Sequence, residues 1–295
     1  MTQVSICRSI IQIPTEKRNR GSRTPPSKAT GADGSPAALP PGALHGGPIR
    51  RHGHRPRASG RRRGALAAAQ TDAGETALYV AAEAGSEEVI RLLLPIYDLE
   101  NVSVRSLLDL DAFHVAAKQG HTGVVKEFLG RWPELCSVCD SSDTSPLYSA
   151  AVKNHLDVIN AILDIDDSCI RIVRKNGKMP LHTAARIGYH RIVKALIERD
   201  PGIVPIRDSK GQTALHMAVK GTNSDVVEEL LMADVSILNV RDKKGNTALH
   251  VAARKCRPQM VQLLLSYETL EVNAINGFHT CFPAYFMGET SVRHI

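Results

Sequence analysis

Aromatic side chains are scarce in this sequence. Phe, Trp and Tyr make up 4% of the 295 residues, so any core must consist mainly of Leu, Ile, Val and Ala. Such a core suits thin helical layers better than a β-sandwich or barrel, because strands are enriched in aromatic and β-branched residues. Long apolar runs are also absent, since no stretch approaches the ~18 residues of a membrane-spanning helix. We expect an all-α chain without a transmembrane segment.

The signs of secretion are missing as well. The six cysteines lack the spacing of a disulfide framework, which secreted scaffolds normally show in a short, cysteine-dense chain. The N-terminus has neither the apolar stretch nor the small-residue cleavage site of a signal peptide. These absences favour a reducing, intracellular compartment, and we predict the cytoplasm.

Motifs of catalysis are absent too. The sequence contains no Gly-rich phosphate loop, no nucleophile elbow and no His-Glu-x-x-His pair. Cys136 and Cys139 form one C-x-x-C, which supplies two of the four ligands of a structural zinc site and lacks the βαβ context of a redox motif. We expect these cysteines to pack between repeats. We predict no enzymatic activity, no cofactor, no metal and no small-molecule substrate.

The net charge of +7 is unevenly distributed along the chain. Residues 1–63 carry 13 Lys and Arg against two acids, whereas the remainder carries 24 basic and 28 acidic residues. The first segment is also rich in Pro, Gly and Ser and has almost no apolar periodicity, so we predict a disordered basic tail over residues 1–69. A basic arm favours anionic partners, such as nucleic acid, lipid headgroups or an acidic protein.

From residue 70 onward, a seven-residue motif occurs six times. The second copy begins 35 residues after the first, and the later copies follow every 34 residues. The copies are Thr76-Ala-Leu-Tyr-Val-Ala-Ala82, Asp111-Ala-Phe-His-Val-Ala-Ala117, Ser145-Pro-Leu-Tyr-Ser-Ala-Ala151, Met179-Pro-Leu-His-Thr-Ala-Ala185, Thr213-Ala-Leu-His-Met-Ala-Val219 and Thr247-Ala-Leu-His-Val-Ala-Ala253. The third residue is always large and apolar, and the sixth is always Ala. Paired apolar residues at helical spacing follow, such as Val226/Val227 with Leu230/Leu231. The period predicts about six helix-turn-helix repeats over residues 70–275, joined by short β-turn or hairpin connections.

The glycines fit this pattern of turns, with one exception. Gly85, Gly120 and Gly188 stand between the two helices of a pair, and turns such as Asp208-Ser-Lys-Gly211 precede the first helix. The segment 107–111 has no Gly before its helix. We therefore expect a looser or differently shaped turn there.

This combination of motifs resembles the ankyrin repeat and implies an ankyrin-repeat solenoid. In that family the His of the motif is hydrogen-bonded near the start of the first helix. The resemblance thus implies a structural role, and not a metal site, for the histidines at His114, His182, His216 and His250.

Longer stretches resemble one plant group of ankyrin membrane proteins, linked to salt tolerance and cell-death control. Among them are Asp111-Ala-Phe-His-Val-Ala-Ala-Lys-Gln-Gly-His121, Arg174-Lys-Asn-Gly177 and Arg241-Asp-Lys-Lys-Gly-Asn-Thr-Ala-Leu-His250. The resemblance implies stress or defence signalling at the cytoplasmic side of the plasma membrane. This sequence lacks the C-terminal transmembrane domain of that group, and we expect an irregular segment over residues 276–295. The sixth repeat should then be poorly capped, with Met260, Val261 and Leu264 exposed.

The resemblance also implies where a partner binds, at the turn tips and the exposed end of each first helix. In the last three repeats, nine of these fifteen positions are basic and none is acidic. We call these nine residues the basic strip: Lys175, Lys178, Arg186, Lys210, Lys220, Lys243, Lys244, Arg254 and Lys255. The prediction is an adaptor whose concave face binds a protein with an acidic patch.

Three alternatives remain open at this stage. The strip could be an ordinary solvated rim that keeps the protein soluble. The tail and the strip together could bind nucleic acid or membrane, in which case binding would weaken steeply with salt. The tail could instead be an organelle-targeting segment, since it is rich in Arg and poor in acids.

Overall fold

The computed structural model describes residues 67–274 of the chain. Within that range the backbone forms thirteen α-helices and no strand, apart from one isolated antiparallel bridge between Gln70 and Thr76. The predicted all-α fold is therefore confirmed. The expectations for the tail before residue 67 and for residues 276–295 fall outside the described residues.

Twelve of the helices form six consecutive pairs, as the period of the motif predicts. The first helices are α1 (Ala77–Glu83), α4 (Ala112–Gln119), α6 (Pro146–Lys153), α8 (Pro180–Ile187), α10 (Ala214–Ala218) and α12 (Ala248–Arg254). The second helices are α2 (Glu87–Leu93), α5 (Thr122–Arg131), α7 (Leu156–Leu163), α9 (His190–Arg199), α11 (Ser224–Ala233) and α13 (Pro258–Leu265). The remaining helix, α3 (Leu99–Val102), is a single turn in the longer link between the first two pairs.

A short 3-10 turn follows each of the first five second helices. These turns are Leu94–Ile96, Pro133–Ser137, Asp167–Arg171, Pro201–Ile203 and Val235–Asn239. Like helices then lie side by side, so that α1, α4, α6, α8, α10 and α12 form one row of neighbours and the second helices form another. Each repeat therefore contacts mainly its neighbours, which is the organisation of a solenoid.

The motif residues form the contact between neighbouring first helices. Its third position is fully buried in every repeat, and the sixth, always Ala, is at most 1% exposed. Ala184 of α8 holds this position against the neighbouring first helices, where a larger side chain would push the helices apart. The apolar pairs of the second helices are mostly buried too, as at Val226, Val227 and Leu230, although two residues of the first repeat's pairs are only half-buried. The packing roles inferred from the sequence are therefore confirmed.

The turn before each first helix has the same geometry in all six repeats. In the fifth repeat, the Gly211 N–H donates to the Asp208 carbonyl at 2.8 Å, and the Asp208 N–H donates to the Gln212 carbonyl at 2.8 Å. The fourth residue of the turn has a positive φ, which Gly adopts without strain.

The turn at 107–111 is not looser, so that expectation was wrong. Asp109 adopts a φ of 61° and closes the turn with a 2.9 Å bond from its N–H to the Ser106 carbonyl. Asp143 does the same in the next repeat, with a φ of 56°. Asp tolerates the left-handed region better than most residues, and it therefore replaces Gly at both turns.

The predicted exposure of three apolar residues in the sixth repeat was also wrong, while the poor capping stays a prediction. Met260, Val261 and Leu264 are 2%, 5% and 0% exposed, and they belong to the continuous hydrophobic core. They occupy the positions that pack the second helix onto its own first helix and onto α11. The exposed apolar residue of α13 is instead Leu265, at 48%.

Candidate functional site

Eight of the nine residues of the basic strip line two neighbouring cavities in the last three repeats. The first cavity, of about 370 Å³, is lined by Lys178, Arg186, Lys210, Gln212, Met217, Lys220, Lys255 and Arg257. The second, of about 420 Å³, is lined by Ser209, Lys210, Gln212, Lys220, Asp242, Lys243, Lys244 and Arg254. Lys210, Gln212 and Lys220 line both cavities, so the two form one continuous basic surface.

The repeat itself brings these residues together. Lys178 and Lys210 stand at turns before a first helix, whereas Arg186 and Lys220 stand at or just beyond the end of one. Because like elements lie side by side in the stack, residues far apart in sequence meet at one cavity. Lys175 is the strip residue outside both cavities. It is exposed at its turn tip, where its N–H donates to the Ser142 carbonyl.

The cations of the strip have no carboxylate partners among residues 67–274. Other basic residues are paired: Arg91 Nε lies 2.6 Å from a Glu127 oxygen, and Arg171 Nε lies 2.7 Å from an Asp200 oxygen. A solvated rim usually mixes both signs of charge, as these pairs do. The strip therefore concentrates positive charge on one side of three repeats, which raises the local concentration of anions.

Lys220 lies at the centre of this arrangement. It is half-buried, and its Nζ donates to Gln212 Oε1 at 2.7 Å and lies 3.3 Å from Met217 Sδ. Burial and the nearby charges of Lys178 and Arg186 lower the pKa of Lys220 to about 8. An ammonium held this way is partly stripped of water and lacks a counter-ion, so an anion placed there would stabilise its charged form.

Sequence reasoning missed two charged residues of the site. Arg257 lines the first cavity from the N-terminus of α13, outside the turn tips and first-helix ends that were compared. Asp242 lines the second cavity, but its carboxylate is occupied by hydrogen bonds from Gln212 Nε2 and from the Lys244 and Asn246 N–H groups. Burial alone would raise the pKa of Asp242, yet these bonds hold it below the usual value.

The motif histidines are hydrogen-bonded to the next repeat, as the resemblance implies. Nε2 of His182 donates to the Gln212 carbonyl, and Nε2 of His216 donates to the Asn246 carbonyl, each at 3.1 Å. Nδ1 accepts the N–H of the residue that caps the helix, which requires the neutral ring. Burial lowers the pKa of both rings.

His114 differs because an Asp takes the capping position. Its Nδ1 lies 2.9 Å from Asp111 Oδ2, and its Nε2 lies 3.2 Å from the Thr144 carbonyl. Both nitrogens therefore face acceptors, which favours the charged ring. Burial alone would lower the pKa of His114, but the Asp111 carboxylate outweighs it and the pKa is raised.

The contacts of the cysteines differ from those that the C-x-x-C pattern suggests. Cys136 approaches Cys169 of the next repeat, and the ligand atoms of Cys136, Asp166 and Cys169 lie within 4.8 Å of one another. Both thiols point at the Asp166 carboxylate, and Cys136 also donates to the Pro133 carbonyl at 2.7 Å. Among the described residues this group offers three metal-ligating atoms. Its buried thiols contribute to packing between repeats, as expected for Cys136, while Cys139 is half-buried beside it.

Comparison with known families agrees with this architecture. The profile of the family "Ankyrin repeats (3 copies)" matches residues 62–131, 113–205 and 181–276, which together span most of the chain. The chain belongs to the ankyrin-repeat family. Membership of this family points to protein interaction as the role of the repeats, and ankyrin repeats are typically non-enzymatic.

Two curated relatives are plant ankyrin proteins. Ankyrin repeat-containing protein At2g01680 of Arabidopsis thaliana is 61% identical over 80 residues, and Ankyrin repeat-containing protein At5g02620 of the same plant is 44% identical over 80 residues. Each match covers 27% of this chain and 15% of the relative. Across residues 67–274, none of the helices is long and apolar enough to cross a membrane.

Proposed function

We propose that this ankyrin domain is a non-catalytic adaptor whose basic strip binds an acidic segment of a partner protein. The observation that carries the proposal is the basic strip, whose cations have no carboxylate partner within residues 67–274 and eight of whose members line two adjoining cavities. Its nine members come from three successive repeats, so the positive surface is extended. An extended strip suits a stretch of chain with several carboxylates better than a compact ion.

The proposal also concerns where in the cell the adaptor acts, and this part rests on the resemblance to plant proteins. The longer stretches shared with plant ankyrin membrane proteins favour stress or defence signalling at the cytoplasmic face of the plasma membrane. The matched relatives are plant proteins, which fits this assignment. The adaptor would then hold its partner near that membrane.

A charge-reversal experiment on the full chain tests the proposal. The variant Lys210→Glu/Lys243→Glu/Lys244→Glu changes the exposed part of the strip and should leave the fold intact, because surface changes usually alter stability by less than about 0.5 kcal/mol. The matched control reverses three exposed cations on second helices, Lys126, Arg191 and Lys194.

Two measurements follow for each protein: quantitative affinity capture from plant extract, and fluorescence anisotropy with a labelled glutamate-rich peptide. We expect the strip variant to lose the peptide and a defined set of captured proteins, while the control keeps both. Equal binding by the strip variant and the wild type would refute the proposal.

The same variants distinguish the adaptor proposal from the alternative, in which the chain binds nucleic acid or an anionic membrane. Labelled DNA and vesicles containing anionic lipid serve as probes at increasing salt. Tight DNA or vesicle binding with a steep loss at higher salt, together with protein capture that the strip variant does not change, would favour that alternative and contradict the adaptor proposal.

A further inference from the structure

The first cavity has more positive charge than a carboxylate can neutralise. Six cations line it, Lys178, Arg186, Lys210, Lys220, Lys255 and Arg257, and no acidic residue between positions 67 and 274 does. Its volume of about 370 Å³ lies at the small end of the usual range for ligand pockets, roughly 300–1,000 Å³. A compact group with more than one negative charge fits such a place.

The side chain of Arg257 supplies a second, independent observation. In three of the five earlier repeats, the equivalent residue ties the second helix to the preceding repeat. Nε2 of His155 donates to the Lys118 carbonyl at 3.1 Å, and Nδ2 of Asn223 donates to the Gly188 carbonyl at 2.9 Å. Arg257 makes no such bond. Its Nε is shielded from solvent and has no hydrogen-bond partner within residues 67–274. A buried donor without an acceptor is costly, and Arg257 also lines the first cavity, so its guanidinium adds further hydrogen-bond donors to that cavity.

Lys220 provides another donor at this cavity. Its Nζ donates to Gln212 Oε1 and lies against Met217, so it keeps donor capacity toward the cavity. Positive groups on several sides thus converge on one recess. A phosphomonoester brings nearly two negative charges and three strong acceptor oxygens, whereas a carboxylate brings one charge and two oxygens.

We infer that this cavity binds a phosphomonoester carried by the acidic partner segment, so that the adaptor recognises a phosphorylated peptide. The inference rests on the proposed function, because the neighbouring second cavity would hold the acidic residues that flank the phosphate. A recess of about 370 Å³ also suits a single phosphate on a flexible serine or threonine side chain better than the extended backbone of a nucleic acid.

The experiment uses the full chain and two labelled glutamate-rich peptides that differ only in phosphorylation of one central serine. We expect the phosphopeptide to bind about tenfold tighter or more, because each charge-assisted hydrogen bond is worth a factor of this order. Lys220→Met should remove most of that preference while the unphosphorylated peptide still binds. Lys194→Met on α9 is the control and should change neither affinity.

The pH dependence adds a readout that loss of folding cannot imitate. Because the pKa of Lys220 is about 8 in the free protein, the ammonium loses its proton as the pH rises through that value, and phosphopeptide affinity should fall there. Lys220→Arg keeps its charge, so it should retain the preference and lose this step in the pH profile.

The outcomes are distinct. Equal binding of the two peptides by the wild type would overturn the inference and leave the adaptor proposal standing. A phosphate preference that survives Lys220→Met would also overturn it, since the phosphate would then bind elsewhere. Failure of both peptides to bind would refute the proposed function and the inference together.

Discussion

The turn tips offer a test of how neighbouring repeats are held together. Gly177 has a φ of 71°, and a Cβ added there would lie 2.6 Å from the backbone nitrogen of Ser209. That nitrogen belongs to the next tip, and its N–H donates to the Asn176 carbonyl at 3.1 Å. Gly177→Ala would therefore strain its own backbone and push the next tip away. Backbone atoms surround the added carbon, so no side chain can move to accommodate it.

The protein already contains two tips with a side chain at this position, and both depart from the pattern. At the turns that contain Gly74, Gly177 and Gly211, the backbone hydrogen bond from the next turn tip is 2.9 to 3.1 Å long. At the turn that contains Asp143, the corresponding hydrogen bond, from the Lys175 N–H to the Ser142 carbonyl, is longer, at 3.4 Å. Beyond Asp109, the Ser141 N–H donates to the Asp109 carboxylate instead of to a carbonyl.

The size of the effect follows from these two terms. A left-handed Ala costs about 1–2 kcal/mol, and the weakened hydrogen bond adds about 0.5–1.5 kcal/mol. We expect Gly177→Ala to lower the free energy of unfolding by about 1.5–3.5 kcal/mol. Gly177→Asn should cost less, because Asn tolerates the left-handed region and mainly the cost of the weakened hydrogen bond remains.

The control is Gly130→Ala in α5, where an added Cβ meets nothing within 4 Å. This change should stabilise the protein by about 0.5–1 kcal/mol, since Gly in a helix costs that much relative to Ala. Urea denaturation followed by circular dichroism measures all three variants. Similar stabilities for Gly177→Ala and Gly130→Ala would refute the reasoning about the tips.

Two further predictions concern the core and its histidines. Ala184→Leu adds three carbons between first helices and should cost about 1–3 kcal/mol, and an unchanged urea midpoint would contradict the packing role of Ala184. NMR titration of the ring nitrogens should place the pKa of His114 above 6.5 and those of His182 and His216 below it. His114 therefore adds stability that is complete below pH 6.5 and lost as the pH rises through its folded pKa, whereas the other two cost stability as the pH falls below 6.5. Asp111→Asn should lower the pKa of His114, and an unaltered titration would show that the carboxylate is not the cause.

The repeat architecture was predictable because one signal occurs six times. A single copy of the motif is weak, but a fixed period leaves few alternatives, and the buried positions follow from the period alone. The errors arose where one residue replaces another with a similar backbone preference. Asp109 and Asp143 take the place of Gly in the turn, and neither composition nor hydrophobic periodicity shows a positive φ.

The misjudged end of the stack has a different cause. Met260, Val261 and Leu264 have the spacing of the inward pairs of the other second helices, and this spacing argues against an outward-facing patch. The apolar face of a second helix is covered by its own first helix and by the preceding repeat, so a following repeat is not needed to bury it. The sequence period contained this information.

The candidate site was predictable as a set of residues and unpredictable as a shape. The period shows which positions recur at tips and helix ends, so it identifies the cations of the strip. It does not show that Lys220 is half-buried, because that depends on Met217 and Gln212 packing around its side chain. Nor does it show that Arg257 replaces residues that elsewhere bond to the preceding repeat. Arg257 does not form that structural hydrogen bond, and its side chain lines the cavity with the largest excess of positive charge instead. The departures from the repeat pattern, and not the pattern itself, therefore make the fifth and sixth repeats different from the others.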